Sequence, residues 1–204
     1  LTVEPGAVIW FEELGLIVKG ELHVLGDQQA PVALGGLGAT PWKGIFFDHS
    51  AGKNVLRHCS ISGAEYGLRA IATDLTMTHS QFWDNGWGMV VESGRADVRR
   101  CLFRTSAKSG IAAKKAKLAL TESVVTENKA GGVLLENAQA TITANNIANN
   151  GNWQLKVLDL KSRVSATYNW WGRKKPGDTE LVGKVRLGRA LDKPLDFSTR
   201  PISP

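Results

Sequence analysis

Apolar residues recur along this chain at intervals of about 22 positions and fall into three columns. The first column follows a glycine at Gly44, Gly67, Gly88, Gly110 and Gly132, and these glycines are 23, 21, 22 and 22 residues apart. The second column is Leu56, Met77, Val98, Leu120 and Ile142, and the third is Ile61, Phe82, Phe103, Val125, Ile147 and Trp170. Repeats of about 20 to 50 residues are typical of solenoid proteins, because a single unit cannot bury its own hydrophobic face.

Within each repeat, apolar residues alternate with polar or small ones, as at Val133 and Leu135 or at Ala140 and Ile142. This alternation predicts β-strands, since successive side chains of a strand point to opposite faces. Parallel crossover connections are almost always right-handed. The sequence therefore predicts an all-β protein, a right-handed single-stranded parallel β-helix of about 7–8 coils with about 22 residues per coil.

A fourth column holds short side chains three positions beyond the second, at Cys59, Ser80, Cys101, Ser123 and Asn145. We expect it in the tight bend between the second and third strands, where such side chains fit. Cys59 and Cys101 would then lie two coils apart, with their Cα atoms about 9.6 Å from each other at twice the strand spacing. A disulfide requires less than about 7 Å, so the sequence predicts two buried free thiols.

Three motifs carry a resemblance to known proteins: Leu-Thr-Val-Glu-Pro-Gly at residues 1–6, Gly-x-Leu-x-Val-x-Gly at residues 20–26, and Asn-Trp-Trp-Gly at residues 169–172. They resemble bacterial right-handed parallel β-helix repeat proteins of the pectate-lyase-like superfamily, and the likeness covers about residues 1–172. It implies the β-helix fold and export to the periplasm or the cell surface. The resemblance does not indicate one particular activity, because the superfamily includes lyases, hydrolases, epimerases and non-catalytic modules.

Composition divides the chain into a β-helix over residues 1–172 and a tail over residues 173–204, which begins with a charged loop and is rich in proline. We expect the tail to cap the end of the stacked sheets, whose unpaired edges would otherwise invite aggregation. The chain begins at Leu1 inside a coil, so we expect it to be part of a longer protein. No apolar run reaches the roughly 18 residues of a membrane span.

The formal net charge of +6 and the pI of about 9.4 allow two interpretations. The charge could attract an acidic polymer such as a uronate polysaccharide, or it could only keep the surface solvated. We expect no nucleic-acid partner, because neither interleaved aromatic residues nor a nucleic-acid motif accompanies the basic residues. Those residues are Arg99, Arg100, Arg104, Lys108, Lys114, Lys115, Lys117 and Arg173–Lys175.

The outward face of the first strand holds the candidate catalytic residues. The alternation predicts a first outward column of Phe46, Arg69, Val90, Ala112, Leu134 and Gln154, and a second of Asp48, Ile71, Glu92, Lys114, Glu136 and Lys156. Asp48 and Glu92 would lie about 9.6 Å apart, at the upper edge of the range for inverting glycosidases. Arg69 would then bind the acid groups of a polysaccharide substrate. The alternative is a solvated ladder of ion pairs, and the short turns between strands favour it because they build no walls around a cleft.

Two smaller clusters complete the candidates. His58 and His79 would lie about 4.8 Å apart beside the bend and could hold a metal ion, but Arg100 adjoins them and no third ligand is evident, so we predict no metal site and no cofactor. Trp83 and Trp87 flank Asp84–Gly86 and could form a platform for a sugar, or could pack against neighbouring turns.

The sequence favours a non-catalytic exported module, acting as a surface scaffold or as a rod that binds carbohydrate or protein. We expect partner contact at the outward apolar residues Phe46, Val90 and Leu134, with Trp83 and Trp87 as further binding candidates. The alternative is a carbohydrate-active enzyme, a hydrolase or lyase acting on acidic polysaccharide through Asp48, Glu92 and Arg69. The sequence therefore allows an acidic polysaccharide or a surface protein as the partner.

Overall fold

The chain folds as a stack of short parallel strands. A computed structural model describes residues 1–159, 161–174 and 176–197, and within them the chain forms 24 β-strands and no α-helix. The strands join three parallel sheets that contain one strand from each coil. The predicted parallel β-helix is confirmed, with about eight coils. The described part contains no helix with the length and apolar character needed to cross a bilayer.

Each sheet corresponds to one of the three apolar columns, and we number the sheets accordingly. Sheet 1 contains β3 (Gly15–Val18), β6 (Trp42–Asp48), β9 (Ala64–Ile71), β12 (Trp87–Glu92), β15 (Ser109–Lys114), β18 (Gly131–Glu136), β21 (Leu155–Val157) and β23 (Leu181–Val182). Sheet 2 contains β1 (Thr2–Val3), β4 (His23–Leu25), β7 (Asn54–Arg57), β10 (Asp74–Thr78), β13 (Arg95–Arg99), β16 (Lys117–Thr121), β19 (Gln139–Thr143), β22 (Arg163–Thr167) and β24 (Arg186–Leu187). Sheet 3 contains β2 (Val8–Phe11), β5 (Val32–Gly36), β8 (Cys59–Ser62), β11 (Gln81–Trp83), β14 (Leu102–Arg104), β17 (Val124–Thr126) and β20 (Asn146–Ala148).

The core is a continuous apolar column inside the three sheets. Ile111 lies in register between Met89 and Val133, and all three are fully buried. The rings of Phe82 and Phe103 stack 4.9 Å apart on the inner side of sheet 3. The last member of the third column was predicted wrongly. Asn146 pairs with Trp170, so Trp171 follows Ile147 into the core and is 2% exposed, whereas Trp170 is half-buried.

The predicted bend column lies between sheets 2 and 3, where its members are fully buried. Their side chains accept hydrogen bonds from backbone N–H groups of the preceding coil: Ser123 N donates to Asn145 Oδ1 at 2.8 Å, and Asn145 N donates to Asn169 Oδ1 at 2.9 Å. A buried N–H without an acceptor would be costly. The column therefore makes a sharp bend possible inside the protein.

The residue before each column member has the positive φ of the left-handed region. Non-glycine residues adopt it repeatedly at this bend: His58, His79, Arg100, Glu122, Ala144 and Tyr168. The left-handed conformation costs about 1–2 kcal/mol for each such residue. The hydrogen bonds of the bend column must offset this cost for the chain to turn here.

Both cysteines are free and buried, as predicted. Cys59 N and Cys59 Sγ each lie 3.4 Å from the hydroxyl of Ser80, which separates the two thiols along the bend column. Burial raises the pKa of each thiol to about 12. The two residues are therefore small core side chains rather than reactive groups.

The segment after residue 172 continues the coil before it ends. β23 pairs with β21 on sheet 1, and β24 pairs with β22 on sheet 2. The backbone of Leu195 forms two hydrogen bonds with the side chain of Asn146, at 2.7 and 2.9 Å, beside the last strand of sheet 3. The division at residue 172 and the capping role of residues 173–204 stay predictions, and residues 198–204 lie outside the described residues.

Candidate functional site

The outward face of sheet 1 holds most of the residues that the sequence selected. Phe46, Arg69, Val90, Ala112 and Leu134 are paired in register from one strand to the next, as the first outward column requires. Ile17 extends the column beyond Phe46 and is 65% exposed. At the other end Leu134 pairs with Lys156, so the predicted position of Gln154 in this column is wrong.

Gln154 is instead buried, because it occupies the position that Gly132 holds one coil earlier. Its side-chain oxygen accepts a hydrogen bond from Asn150 Nδ2 at 2.8 Å. Lys156, assigned by sequence to the second outward column, lies over the ring of Trp153 at 4.6 Å. Because this coil lacks the opening glycine, the sequence pattern placed its outward columns two residues too early. The repeat length itself is unchanged, since Leu134 and Lys156 are 22 residues apart.

The guanidinium of Arg69 contacts three other side chains of this face. Its Nη2 and Nε donate to Glu92 Oε1 at 2.9 and 3.1 Å. Its guanidinium carbon lies 5.7 Å from the ring centroid of Phe46 and 5.5 Å from that of Tyr66, within the range of cation–π attraction. Two aromatic rings and one carboxylate therefore hold the guanidinium on the face.

Asp48 and Glu92 stand two coils apart with Ile71 between them, in the register that the sequence predicted. Glu92 binds Arg69, and Asp48 Oδ1 lies 2.7 Å from His49 Nδ1. Further along the second outward column, Lys114 Nζ lies 3.0 Å from Glu136 Oε1. Glu92 and Glu136 thus form ion pairs and Asp48 is hydrogen-bonded to His49, which is the arrangement of the solvated ladder.

The two tryptophans at the turn lie on different sheets. Trp83 ends β11 on sheet 3 and donates its indole N–H to Ser60 Oγ at 2.8 Å, whereas Trp87 begins β12 on sheet 1. Trp87 is parallel to Tyr66, with the ring centroids 6.5 Å apart and an angle of 2° between planes. The aromatic pair on this face is therefore Tyr66 and Trp87.

His58 and His79 stack beside the bend, with ring centroids 4.6 Å apart and planes 6° from parallel. Burial, as the largest cause, lowers the pKa of both below the usual value, and neighbouring positive charge acts in the same direction. Arg100 and Glu122 follow in the same column, and Arg100 Nε donates to Glu122 Oε2 at 2.6 Å. In-plane lone pairs of two parallel rings cannot converge on one ion in this orientation.

A groove on sheet 2 was missed by the sequence reasoning. Its lining includes Arg95, Lys117 and Arg163, and of these only Lys117 belongs to the basic residues that the sequence indicates as a candidate surface. Arg95 and Lys117 are in register on neighbouring strands, as are Gln139 and Arg163. A search for charge at the period of the repeat would have found most of this column.

The family model described as NosD, periplasmic copper-binding protein, matches residues 38–170, about two thirds of the 204 residues. The chain belongs to the NosD family. Comparison with curated proteins and comparison with solved structures each gave no significant match. The periplasmic description of the NosD family supports the expected export from a bacterial cell.

The NosD description names copper, a metal that proteins bind through histidine, cysteine and methionine side chains. The described residues contain no group of three or more His, Cys, Asp or Glu side chains that could hold a metal ion. Met77 and Met89 are fully enclosed in the core. Cys59 and Cys101 are fully buried with Ser80 between them, and burial raises the pKa of each thiol to about 12, which disfavours the thiolate that binds metals. The described side chains therefore do not fit a resident copper ion.

Proposed function

We propose that this chain is an exported, non-catalytic β-helix module that binds a protein partner along the outward face of sheet 1. The observation that carries the proposal is the apolar first column of that face. Phe46, Val90 and Leu134 are only half-buried there, and Ile17 is 65% exposed at the end of the same column. Apart from Arg69, the column has no charged member between Ile17 and Leu134.

The geometry of the column suits an extended partner. Neighbouring coils are about 4.8 Å apart, so the apolar side chains form a stripe along the axis of the stack rather than scattered spots. Contiguous exposed apolar surface is uncommon on a solvated protein and marks interaction sites. Arg69 lies within the stripe, between Phe46 and Val90, and pairs with Glu92 in the neighbouring column. This ion pair would fix the orientation of a partner rather than supply much affinity.

A carbohydrate ligand is the second candidate for the same role, and the parallel rings of Tyr66 and Trp87 favour it. Aromatic side chains offer apolar faces to sugar rings. Trp83 contributes less, since it lies on sheet 3 and its indole N–H is already bonded to Ser60. A protein partner is preferred because the apolar column is longer than the aromatic pair.

The enzymatic alternative, a hydrolase or lyase using Asp48, Glu92 and Arg69, has less support. The Arg69 guanidinium that would bind substrate is bonded to Glu92, one of the two carboxylates the mechanism needs. The turns from sheet 3 to sheet 1 are also short: β11 ends at Trp83 and β12 begins at Trp87. Without walls, such a face would not exclude water from a reacting sugar.

Site-specific photocrosslinking in the periplasm tests the proposal. A photoreactive phenylalanine derivative replaces Phe46 or Leu134, and the matched control replaces Thr126, a half-buried residue of sheet 3. We expect one discrete adduct at positions 46 and 134, absent at position 126, that disappears from position 134 when Phe46→Ser is added.

Three results would contradict the proposal. Equal adducts at all three positions, or none at any, would remove the evidence for a protein partner. Glycan binding that is lost in Tyr66→Ala with Trp87→Ala would favour the carbohydrate ligand. Polysaccharide cleavage that is abolished by Asp48→Asn with Glu92→Gln would establish the enzyme.

A further inference from the structure

A second surface, on the outward face of sheet 2, has a different chemistry. An open groove of about 900 Å³ crosses the strands from β13 to β24. Five strands at about 4.8 Å spacing give it a length of about 19 Å. Its principal side chains are Arg95, Asp97, Lys117, Ala119, Gln139, Thr141, Lys161, Arg163, Ser165, Lys184 and Arg186.

The groove holds a local excess of basic over acidic side chains. Six of its side chains are basic and one, Asp97, is acidic, which leaves an excess of five positive charges. The whole chain has a formal net charge of +6. One strip of one sheet therefore carries an excess of positive charge nearly as large as that of the whole chain.

These cations are largely unpaired. Arg95 Nε lies 3.0 Å from Asp97 Oδ2. In the part of the chain that the structure describes, none of the other five basic side chains has an ion-pair partner. They differ in this from Arg69, Arg99 and Arg100, which bind carboxylates. The groove thus holds cations that the fold itself does not neutralise, although adjacent like charges on a sheet are unfavourable.

Short side chains form the floor of the groove. Ala119, Thr141 and Ser165 are consecutive members of one outward column, paired in register on β16, β19 and β22. The neighbouring column on the same strands holds the longer Lys117, Gln139 and Arg163. The difference in side-chain length makes a channel along the axis of the stack, with Lys117 and Arg163 beside it and hydroxyl groups on its floor. The floor column ends at Asp97 on one side and at Arg186 on the other.

We propose that this groove binds a linear acidic polysaccharide whose carboxylates pair with Lys117, Arg163 and Arg186. Lys117 and Arg163 share one column with Gln139 between them, and Arg186 follows Ser165 in the neighbouring column. A polymer with one acid group per sugar therefore meets cations at intervals along its length. The hydroxyl groups of Thr141 and Ser165 and the amide of Gln139 can donate to and accept from sugar hydroxyl groups. The site lies on sheet 2, so it does not depend on the protein-binding role of sheet 1.

Polysaccharide fits this groove better than single-stranded nucleic acid does. Proteins that bind single strands stack the bases on aromatic side chains, and the lining of the groove contains none. The periplasmic description of the NosD family agrees with a polymer found outside the cytoplasm.

The test compares two triple variants that remove the same charge. The groove variant is Lys117→Gln, Arg163→Gln and Arg186→Gln; the control is Lys108→Gln, Lys115→Gln and Lys129→Gln, three exposed lysines outside the groove. Binding to polygalacturonate is measured by calorimetry at low and at physiological salt, with neutral dextran and a single-stranded oligonucleotide as reference polymers.

We expect wild-type protein to bind polygalacturonate and not dextran, with affinity that falls as salt screens the charges. The groove variant should bind roughly tenfold more weakly, as three exposed charge pairs are lost, and the control should change less than about twofold. Phe46→Ser should bind like wild type, which separates this site from the face of sheet 1. Equal losses in both triple variants, binding to the oligonucleotide as tight as to polygalacturonate, or no binding to polygalacturonate would each overturn the proposal. Circular dichroism of all variants verifies the fold.

Discussion

Asn145 offers a quantitative test of the ladder that supports the bend between sheets 2 and 3. Its Oδ1 accepts from Ser123 N at 2.8 Å, and its Nδ2 donates to Leu120 O and Asn169 Oδ1, both at 2.9 Å. Asn145→Ala removes these partners at a fully buried position. The orphaned Ser123 N–H alone costs about 1–3 kcal/mol, and with the lost donors we expect a total of about 2–4 kcal/mol.

The same column supplies the matched variant. Ser123 Oγ already accepts from Cys101 N at 3.1 Å and donates to Thr121 O at 2.8 Å. Asn145→Ser keeps a hydroxyl that can do both, so we expect it to lose about 1 kcal/mol less than Asn145→Ala. Asn152→Ala, at an exposed asparagine, is the surface control and should stay within about 0.5 kcal/mol of wild type.

Urea unfolding, followed by tryptophan fluorescence and far-UV circular dichroism, measures these differences. The two signals must give coincident curves before midpoints are converted to free energies, because long repeat arrays can unfold in parts. If Asn145→Ala were no more destabilising than Asn152→Ala, the amide ladder would not be what stabilises the bend.

Two further predictions concern the register and the histidine stack. Ile111→Asp places an unpaired charge in the closed core and should unfold the central coils. Ala112 is only 9% exposed, but it lies on the outward face, where an aspartate can reach water, so Ala112→Asp should cost about 1 kcal/mol in thermal denaturation. The reverse order would mean that the register is wrong. The lowered pKa values of His58 and His79 mean that the unfolded chain binds protons more readily as pH falls through about 6.5, so stability is lost in that range. Asparagine tolerates the positive φ of position 79, so His79→Asn removes the imidazole without straining the bend. Between about pH 7.5 and about pH 5.5 this variant should lose less stability than the wild type. Equal losses would exclude the histidine stack as the cause of the pH dependence.

The core was predictable because a solenoid maps sequence period directly onto position. Ile111 and Val133 are 22 residues apart and lie on adjacent strands, and the same holds for Leu134 and Lys156. The prediction failed where it followed a local motif instead of the repeat period. The coil at Gln154 lacks the opening glycine, which suggested a shift in register, but the register there is unchanged.

A real lengthening occurs one turn later. Gln139 pairs with Arg163, 24 residues away, because Asp159 organises a longer turn by accepting from Lys161 N at 2.7 Å and from Ser162 N at 2.9 Å. Those two extra residues bring Trp171 rather than Trp170 into the core.

Side-chain partners were less predictable than positions. The column containing Asp48 and Glu92 was placed correctly. Whether those carboxylates are available to a substrate depends on which neighbouring side chain each one bonds. The sequence left Arg69 free for a substrate, whereas the guanidinium turns towards Glu92 and lies against Phe46 and Tyr66. Such choices depend on rotamers and ring positions in adjacent coils, which a repeat period does not specify.

The same mapping of period onto position explains how this fold can bind a polymer without long loops. Lys117 and Arg186 are 69 residues apart in sequence, yet they lie on one strip because each coil adds one strand to sheet 2. A column of short residues beside a column of long ones makes a groove whose depth depends on composition rather than on turn length. Short turns therefore weigh against a walled catalytic cleft, which must exclude water. They do not weigh against a shallow groove that pairs exposed charges along a chain, since such pairing works in the presence of water.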